Sequence, residues 1–264
     1  MKTLRATELR ITYIGGPTAL IEMGGLRLLT DPTFDPAATE CPTKLYTLKK
    51  SASPAVSPDA LRHVDAVLLS HDHHFDNLDR AGRALLESVD NVLTTTAGAE
   101  RTVGRAYGLA TWETIALPTP SGRALRITGT PARHGPPDGD RGPVTGFLLV
   151  FADAPEDCLH ISGDTVWYEG IKEVARQFAI KIALLYMGAE TVPQVGPAHL
   201  TMTAEEGVLA ARAFASATIG PLRCEGWERF TESRAEIQKA FETAGIQHRL
   251  CWLKPGVPLV FSRK

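Results

Sequence analysis

Apolar and polar residues alternate from Leu9 to Ile14, Thr18 to Met23 and Leu26 to Thr30, with Gly15-Gly16-Pro17 and Gly24-Gly25 between the runs. Period-two patterning broken by glycine pairs predicts three short strands joined by tight hairpins. Residues 31–58 then lose periodicity and are rich in Pro, Ala, Thr and Ser, with Lys49-Lys50 near the end. A loop that long inside a compact domain is usually functional or mobile, so a flap near a site is expected, with a plain surface insertion as the alternative. Val64 to Ser70 reads as a buried strand, and Leu78, Ala81, Leu85 and Val89 put one apolar face on a helix from Asn77 to Val89. Further strands are predicted at Asn91–Thr95, Leu125–Thr130, Val144–Ala152, Cys158–Ser162, Ile182–Met187, His248–Leu253 and Pro258–Phe261. Helices are predicted at Ala99–Tyr107, Lys172–Ala179, Ala204–Ala215 and Ser233–Ala244. The helix at Ala204 has a start signal in Thr203, with Glu205-Glu206 in its first turn. Strand-rich halves interspersed with helices suggest two packed sheets with helices outside. No repeat, low-complexity tract or linker divides the chain, so residues 1–264 are expected to form one domain.

Composition narrows the class. At 264 residues, with 44% hydrophobic and 22% charged residues and a net charge of −2, the chain is long enough for a sizeable core and is ordinarily globular. No apolar run reaches the ~20 residues of a membrane span. Met1 to Glu8 leads straight toward the first strand without an apolar signal core. Cys41, Cys158, Cys224 and Cys251 are widely spaced with no C-x-x-C pair, which favours reduced thiols in a cytoplasmic protein. Without a Lys/Arg run, a nucleic-acid surface is not expected as the main function. Homo-oligomerisation stays open.

The candidate chemistry lies in Ser70-His71-Asp72-His73-His74-Phe75-Asp76-Asn77, directly after the apolar run Val67-Leu68-Leu69. Three imidazoles and two carboxylates at the end of a buried strand are costly to desolvate unless something compensates them. A divalent metal does so, because neutral imidazole and carboxylate are ligands for zinc, iron and manganese. Three later segments also place a ligand-type residue near a strand end: His134 in Thr130–Pro136, Asp164 in Ile161–Thr165, and His199 in Pro197–Met202. Alone, each reads as a surface histidine or an ordinary turn.

Together, the Thr30-Asp31-Pro32 turn, the strand ending in Ser70-His71-x-His73, the lone His134, Gly163-Asp164-Thr165 and His199-x-Thr201-Met202 resemble the metallo-β-lactamase-fold metallohydrolases. Within that superfamily the pattern looks most like the branch of ascorbate-6-phosphate lactonase-like and N-acyl-phosphatidylethanolamine phospholipase D-like enzymes. The resemblance spans about Leu9 to Phe261. It implies an α+β fold, a four-layer αββα sandwich of two mixed sheets, with a binuclear centre of zinc, or of manganese or iron. Carried over, His71, His73 and His134 hold the first ion, Asp164 bridges, and His199 completes the second. The family has Asp two residues after the second histidine and then another His, whereas this chain has Phe75 and Asp76. Either a one-residue bulge brings Asp76 in as the carboxylate, with Asn77 in the place of the extra histidine, or His74 swings in as a ligand. Asp76 is the preferred ligand, with His74 as an additional candidate.

No serine triad, Cys-His pair or phosphate loop is evident, so the nucleophile is expected from a metal-bound hydroxide, zinc lowering the pKa of its water to about 7. Asp76 is the catalytic candidate, orienting the water or shuttling its proton. Asp31 is expected to buttress a ligand imidazole from behind, or simply to cap the turn before Pro32. Arg133 is a weak candidate for holding an anionic group of the substrate. Trp167, Tyr168, Tyr186 and Trp227 line a pocket or belong to the core, and His63, His160 and His248 are assigned no metal. The leading expectation is a hydrolase of a small ester, lactone, amide or phosphodiester. A non-catalytic metal-binding or scaffold member with a degraded second site is the alternative, and a nuclease ranks below it.

Overall fold

A computed structural model describes residues 8–102, 105–138 and 141–261. Residues 1–7, read above as a lead-in without a signal core, lie outside the described residues, as do residues 103 and 104 of the predicted helix Ala99–Tyr107.

The glycine-bounded alternation becomes three antiparallel strands, β1 (Leu9–Gly15), β2 (Thr18–Met23) and β3 (Leu26–Thr30). The irregular segment carries a small hairpin of β4 (Glu40–Pro42) and β5 (Thr47–Lys49). Next come β6 (Ala66–Leu68), helix α1 (Arg80–Leu86), β7 (Val92–Thr94), helix α2 (Thr96–Arg101) and β8 (Ala106–Gly108). The second half consists of β9 (Thr114–Pro118), β10 (Ala124–Pro131), β11 (Thr145–Phe151), β12 (Ala154–Ile161), helix α3 (Glu169–Gln177), β13 (Ile180–Tyr186), helix α4 (Ala204–Ala213), β14 (Thr218–Leu222), helix α5 (Arg234–Thr243) and β15 (Leu259–Phe261).

One mixed sheet runs β15-β1-β2-β3-β6-β7-β8 and a second runs β14-β13-β12-β11-β10-β9. Ile11, Ile21, Leu28 and Leu68 of the first meet Leu125, Ile127, Phe147 and Leu184 of the second in one buried cluster, so the core lies between the sheets. The outer face of the second sheet packs on α3, α4 and α5 through Ile171, Val174, Val208, Ile237 and Phe241. The outer face of the first is covered by α1 and its neighbours through Leu61, Leu78 and Leu86. Layered this way, helix, sheet, sheet and helix form the expected α+β sandwich.

Four sequence expectations changed. Residues 99–107 are not one helix: Thr95 caps α2 by accepting from Gly98 N at 2.9 Å, and the chain leaves as β8. β9 was not foreseen because it is an edge strand with mostly exposed residues, which removes the apolar alternation. β14 was not foreseen because Gly220 and Pro221 read as breakers, which an edge strand tolerates. His248–Leu253 forms a 3-10 turn at Gln247–Arg249 and then irregular chain, where the Arg249 guanidinium caps carbonyls behind α4, donating to Ala217 O at 2.6 and 2.9 Å.

Candidate metal centre

The site forms where loops leave both sheets on one side. His71 and His74 follow β6, His134 follows β10, Asp164 follows β12 and Arg223 follows β14. Backbone bonds lock these loops together: Thr145 N donates to Ser70 O at 3.0 Å, joining the sheets, and Val166 N donates to Arg133 O at 2.9 Å. Gly163 makes the turn that aims Asp164. Its φ is +61°, and a Cβ there would lie 2.5 Å from Thr145 O and 3.0 Å from Ser70 Cβ.

His71, His74 and His134 converge. His74 Nδ1 lies 3.0 Å from His71 Nε2 and 3.2 Å from His134 Nε2. Asp164 Oδ2 is 3.5 Å from His134 Nε2 and 3.8 Å from His71 Nε2. Ligand atoms bonded to one zinc at about 2.0–2.1 Å stand roughly 3.3 Å apart in a tetrahedron, so this spacing suits an ion. The tautomers suit one as well. His134 Nδ1 lies 2.9 Å from the Leu200 carbonyl, which can only accept, so Nδ1 carries the proton and Nε2 offers its lone pair. Ser70 Oγ donates to Asp31 Oδ2 at 2.8 Å and accepts from His71 Nδ1 at 3.0 Å, freeing His71 Nε2 in the same way. Asp31 also accepts from Ser70 N at 2.6 Å, so it reaches His71 through Ser70.

Burial tunes these groups. It drives the pKa of His71 and His74 well below the usual imidazole value, and that of His134 down to about 3, so all three are neutral near pH 7. Burial raises Asp31 to about 6 and Glu190 to about 7, and it raises Asp164 even though Arg223 pulls the other way. Asp164 is fully buried, and among the described residues neither of its oxygens receives a hydrogen bond. A buried carboxylate facing imidazole lone pairs without a donor is a donor set that fits a cation.

The other candidates are placed as follows. His73 has a nitrogen within 4.8 Å of those of His71 and His74, but its Nε2 donates to Arg141 O at 2.9 Å and its ring faces outward. Asp72 turns away into a bidentate pair with Arg101 on α2, at 2.6 and 2.8 Å. Asp76 is held by the Arg223 guanidinium. His199 is not brought into the cluster: its Nε2 sits 3.2 Å from Glu206, which raises its pKa. The segment serves the site by its backbone instead, through the Leu200 carbonyl on His134. Arg133 donates to Gly135 O at 3.1 Å and lies over the Tyr168 ring. Tyr186 and Trp227 are core residues, while Trp167 and Tyr168 are half-buried. His63 is exposed, whereas His160 is buried within β12.

Sequence reasoning missed Arg223 and Glu190. Arg223 is fully buried, with Nη1 2.8 Å from Glu190 Oε2, Nε 2.9 Å from Asp164 Oδ1, and Nη2 on Asp76 and on Asn77 Oδ1. The Nε contact is an ion pair without hydrogen-bond alignment. The only hint in the sequence is a lone arginine directly after an apolar strand.

Comparison with known proteins agrees with this geometry. The family model described as the β-lactamase superfamily domain matches residues 26–221. The chain belongs to the β-lactamase superfamily. Within it, a UPF0173 protein of Bacillus subtilis is 25% identical over 96% of this chain and 100% of its own. A UPF0173 metal-dependent hydrolase of Pyrobaculum aerophilum is 22% identical over 94% of this chain and 98% of its own. An uncharacterized Mycobacterium tuberculosis protein is 39% identical, but over only 28% of this chain and 19% of its own length. Among solved structures, an isothiocyanate hydrolase from Delia radicum gut bacteria superposes with a TM-score of 0.81 at 22% identity, covering 96% of this chain and 100% of that one. A possible metal-dependent hydrolase from Veillonella parvula gives 0.79 at 16% identity, covering 95% and 98%. Among the described residues no helix is long and apolar enough to cross a membrane.

Proposed function

We propose that the protein is a metal-dependent hydrolase of a small ester, lactone, amide or phosphodiester, with residues 1–264 acting as one domain. The observation that carries this is Asp164, a buried carboxylate lacking a donor and turned toward imidazole nitrogens. His71, His74, His134 and Asp164 would hold the ion, with His73 as a further neighbour. This imidazole-rich set suits zinc, and manganese or iron would also be accepted. The bound ion supplies Lewis acidity that polarises a carbonyl or phosphoryl oxygen and acidifies a water.

The chain's own residues do the rest. Burial keeps the three imidazoles neutral, so protons compete weakly for their lone pairs near pH 7. The Asp31–Ser70 pair fixes His71, and the Leu200 carbonyl fixes His134. Asp76, with one oxygen held by Arg223, is the group to orient the attacking water or take its proton. Tyr46, Phe75 and Phe230 pack together beside Trp227 and give the substrate's non-reacting part an apolar rim. The relatives named metal-dependent hydrolases support the reaction class.

The test is a panel of lactones, esters and phosphodiesters with protein of measured metal content. The His134→Ala variant should lose metal and turnover together. A metal-free double variant, His71→Ala with His134→Ala, that keeps full turnover of a proven substrate would overturn the reading. Arg223 among the carboxylates favours a second reading, a non-catalytic metal-binding member, which bound metal without any turnover would select.

A further inference from the structure

We propose that this centre takes one metal ion, and that the Arg223 guanidinium stands permanently where a second ion would sit. This rests on the metal reading above.

The site divides at Asp164. On one side its Oδ2 faces His134 and His71 at 3.5 and 3.8 Å. On the other its Oδ1 meets Arg223 Nε at 2.9 Å. The carboxylates beyond are claimed by the same side chain: Asp76 and Glu190 both pair with Arg223, which is fully buried. A second ion would need those oxygens and would have to displace a guanidinium that never loses its proton.

Among the described residues no imidazole is offered there either. Asn77 spends its amide oxygen on Arg223 at 3.2 Å and its nitrogen on Asp31 at 3.3 Å, and His199 is engaged by Glu206. Charge points the same way: a second divalent ion would bring two more positive charges into a buried site that already holds the Arg223 guanidinium, at a high desolvation cost.

The backbone shows that this placement is built in. Arg223 adopts φ +56°, a conformation costly for a residue with a Cβ, and its N–H donates to Gly16 O at 2.9 Å. Phe230 closes over the guanidinium, 5.3 Å from ring centroid to Cζ. Arg223 is therefore a positioning residue, fixing Asp164 for the ion and Asp76 beside it.

The experiment is elemental analysis of wild-type protein dialysed against excess zinc and then freed of unbound ion, with anomalous diffraction at the zinc edge to locate what remains. One zinc per chain beside His71 and His134 is expected. Two per chain would overturn the proposal and leave the hydrolase reading intact. No retained zinc, manganese or iron would overturn both. The R223H variant, which removes the guanidinium and offers an imidazole, should rise from one ion to two, and a value unchanged at one would remove Arg223 as the blocking group. If R223H does not fold, the wild-type count and peak position still decide.

Discussion

The Ser70 hydroxyl accepts the proton of His71 Nδ1 at 3.0 Å and gives its own to Asp31 at 2.8 Å, so one small side chain sets which His71 nitrogen faces the site. Removing it leaves two buried polar groups short of a partner. The Ser70→Ala variant should lose about 1–3 kcal/mol of stability and roughly 10- to 100-fold in zinc affinity, as read by competition with a chromophoric chelator. Unchanged affinity would mean that backbone alone orients His71. His160 offers a separate test away from the ion. It is fully buried in β12, its Nδ1 has no partner among the described residues, and burial lowers its pKa from the usual 6.5 to about 3. As pH falls, the unfolded chain takes up this proton before the folded one does. Stability from His160 is therefore complete above about pH 6.5 and declines by about 1.4 kcal/mol per pH unit down to about pH 3. Comparing wild type with His160→Leu by urea unfolding at pH 7, 6 and 5 isolates this slope. The variant should gain relative to wild type as pH falls, and parallel curves would show that His160 is already protonated or hydrated.

Helix starts separate ordinary caps from caps tied to the site. Thr203 opens α4 with a capping box, accepting from Glu206 N at 3.1 Å while Glu206 bonds back at 3.2 Å. Thr203→Ala should cost about 1 kcal/mol. Asp79 caps α1 through Gly82 N at 2.8 Å, but it also accepts from Asp35 N at 2.7 Å and pairs with buried Lys50 at 3.0 Å. Asp79→Ala would strand that ammonium and should cost about 3–5 kcal/mol. Equal losses in thermal melts of the two variants would show that the Lys50 pair adds nothing. The Thr203 cap was legible because Thr-x-x-Glu ahead of an apolar stripe is a local signal. The Lys50 pair was not, because it joins residues 29 positions apart. The same contrast runs through the fold and the site. β1, β2 and β3 could be read from alternation and glycine pairs, while β9 is mostly exposed and β14, though buried, carries the breakers Gly220 and Pro221. The His71 cluster stood out as polar residues directly after an apolar strand, whereas His134 and Asp164 looked ordinary alone and took their expected roles from the family resemblance. His199 took its expected role in the same way, and its ring sits with Glu206 instead. Arg223 was invisible because its meaning depends on Asp76, Asp164 and Glu190, which only the packed sheets bring together.

At the scale of the molecule, the candidate site draws its residues from both sheets. His71 and His74 belong to loops of the seven-stranded sheet, and His134 and Asp164 to loops of the six-stranded one. An ion held by all of them would cross-link the halves of the sandwich beyond the apolar interior and the Thr145–Ser70 backbone bond. The unfolded chain has no such preformed cage, so binding free energy becomes folding free energy. Free zinc at a thousand times its dissociation constant would add about 4 kcal/mol, which in a protein of this size raises Tm by on the order of 10 °C. Chelation should lower Tm by that amount, and zinc should restore it. The His134→Ala variant should melt near the chelated wild type and respond to neither treatment. Arg223 sharpens the expectation. In the chelated protein the guanidinium still neutralises one of the three carboxylates around it, so the metal-free fold keeps its sheets paired instead of opening at the site. Far-UV circular dichroism should therefore be unchanged by chelation at 25 °C while Tm falls. Loss of strand signal on chelation at that temperature would show that the ion, and not the arginine, holds the acidic half of the site closed.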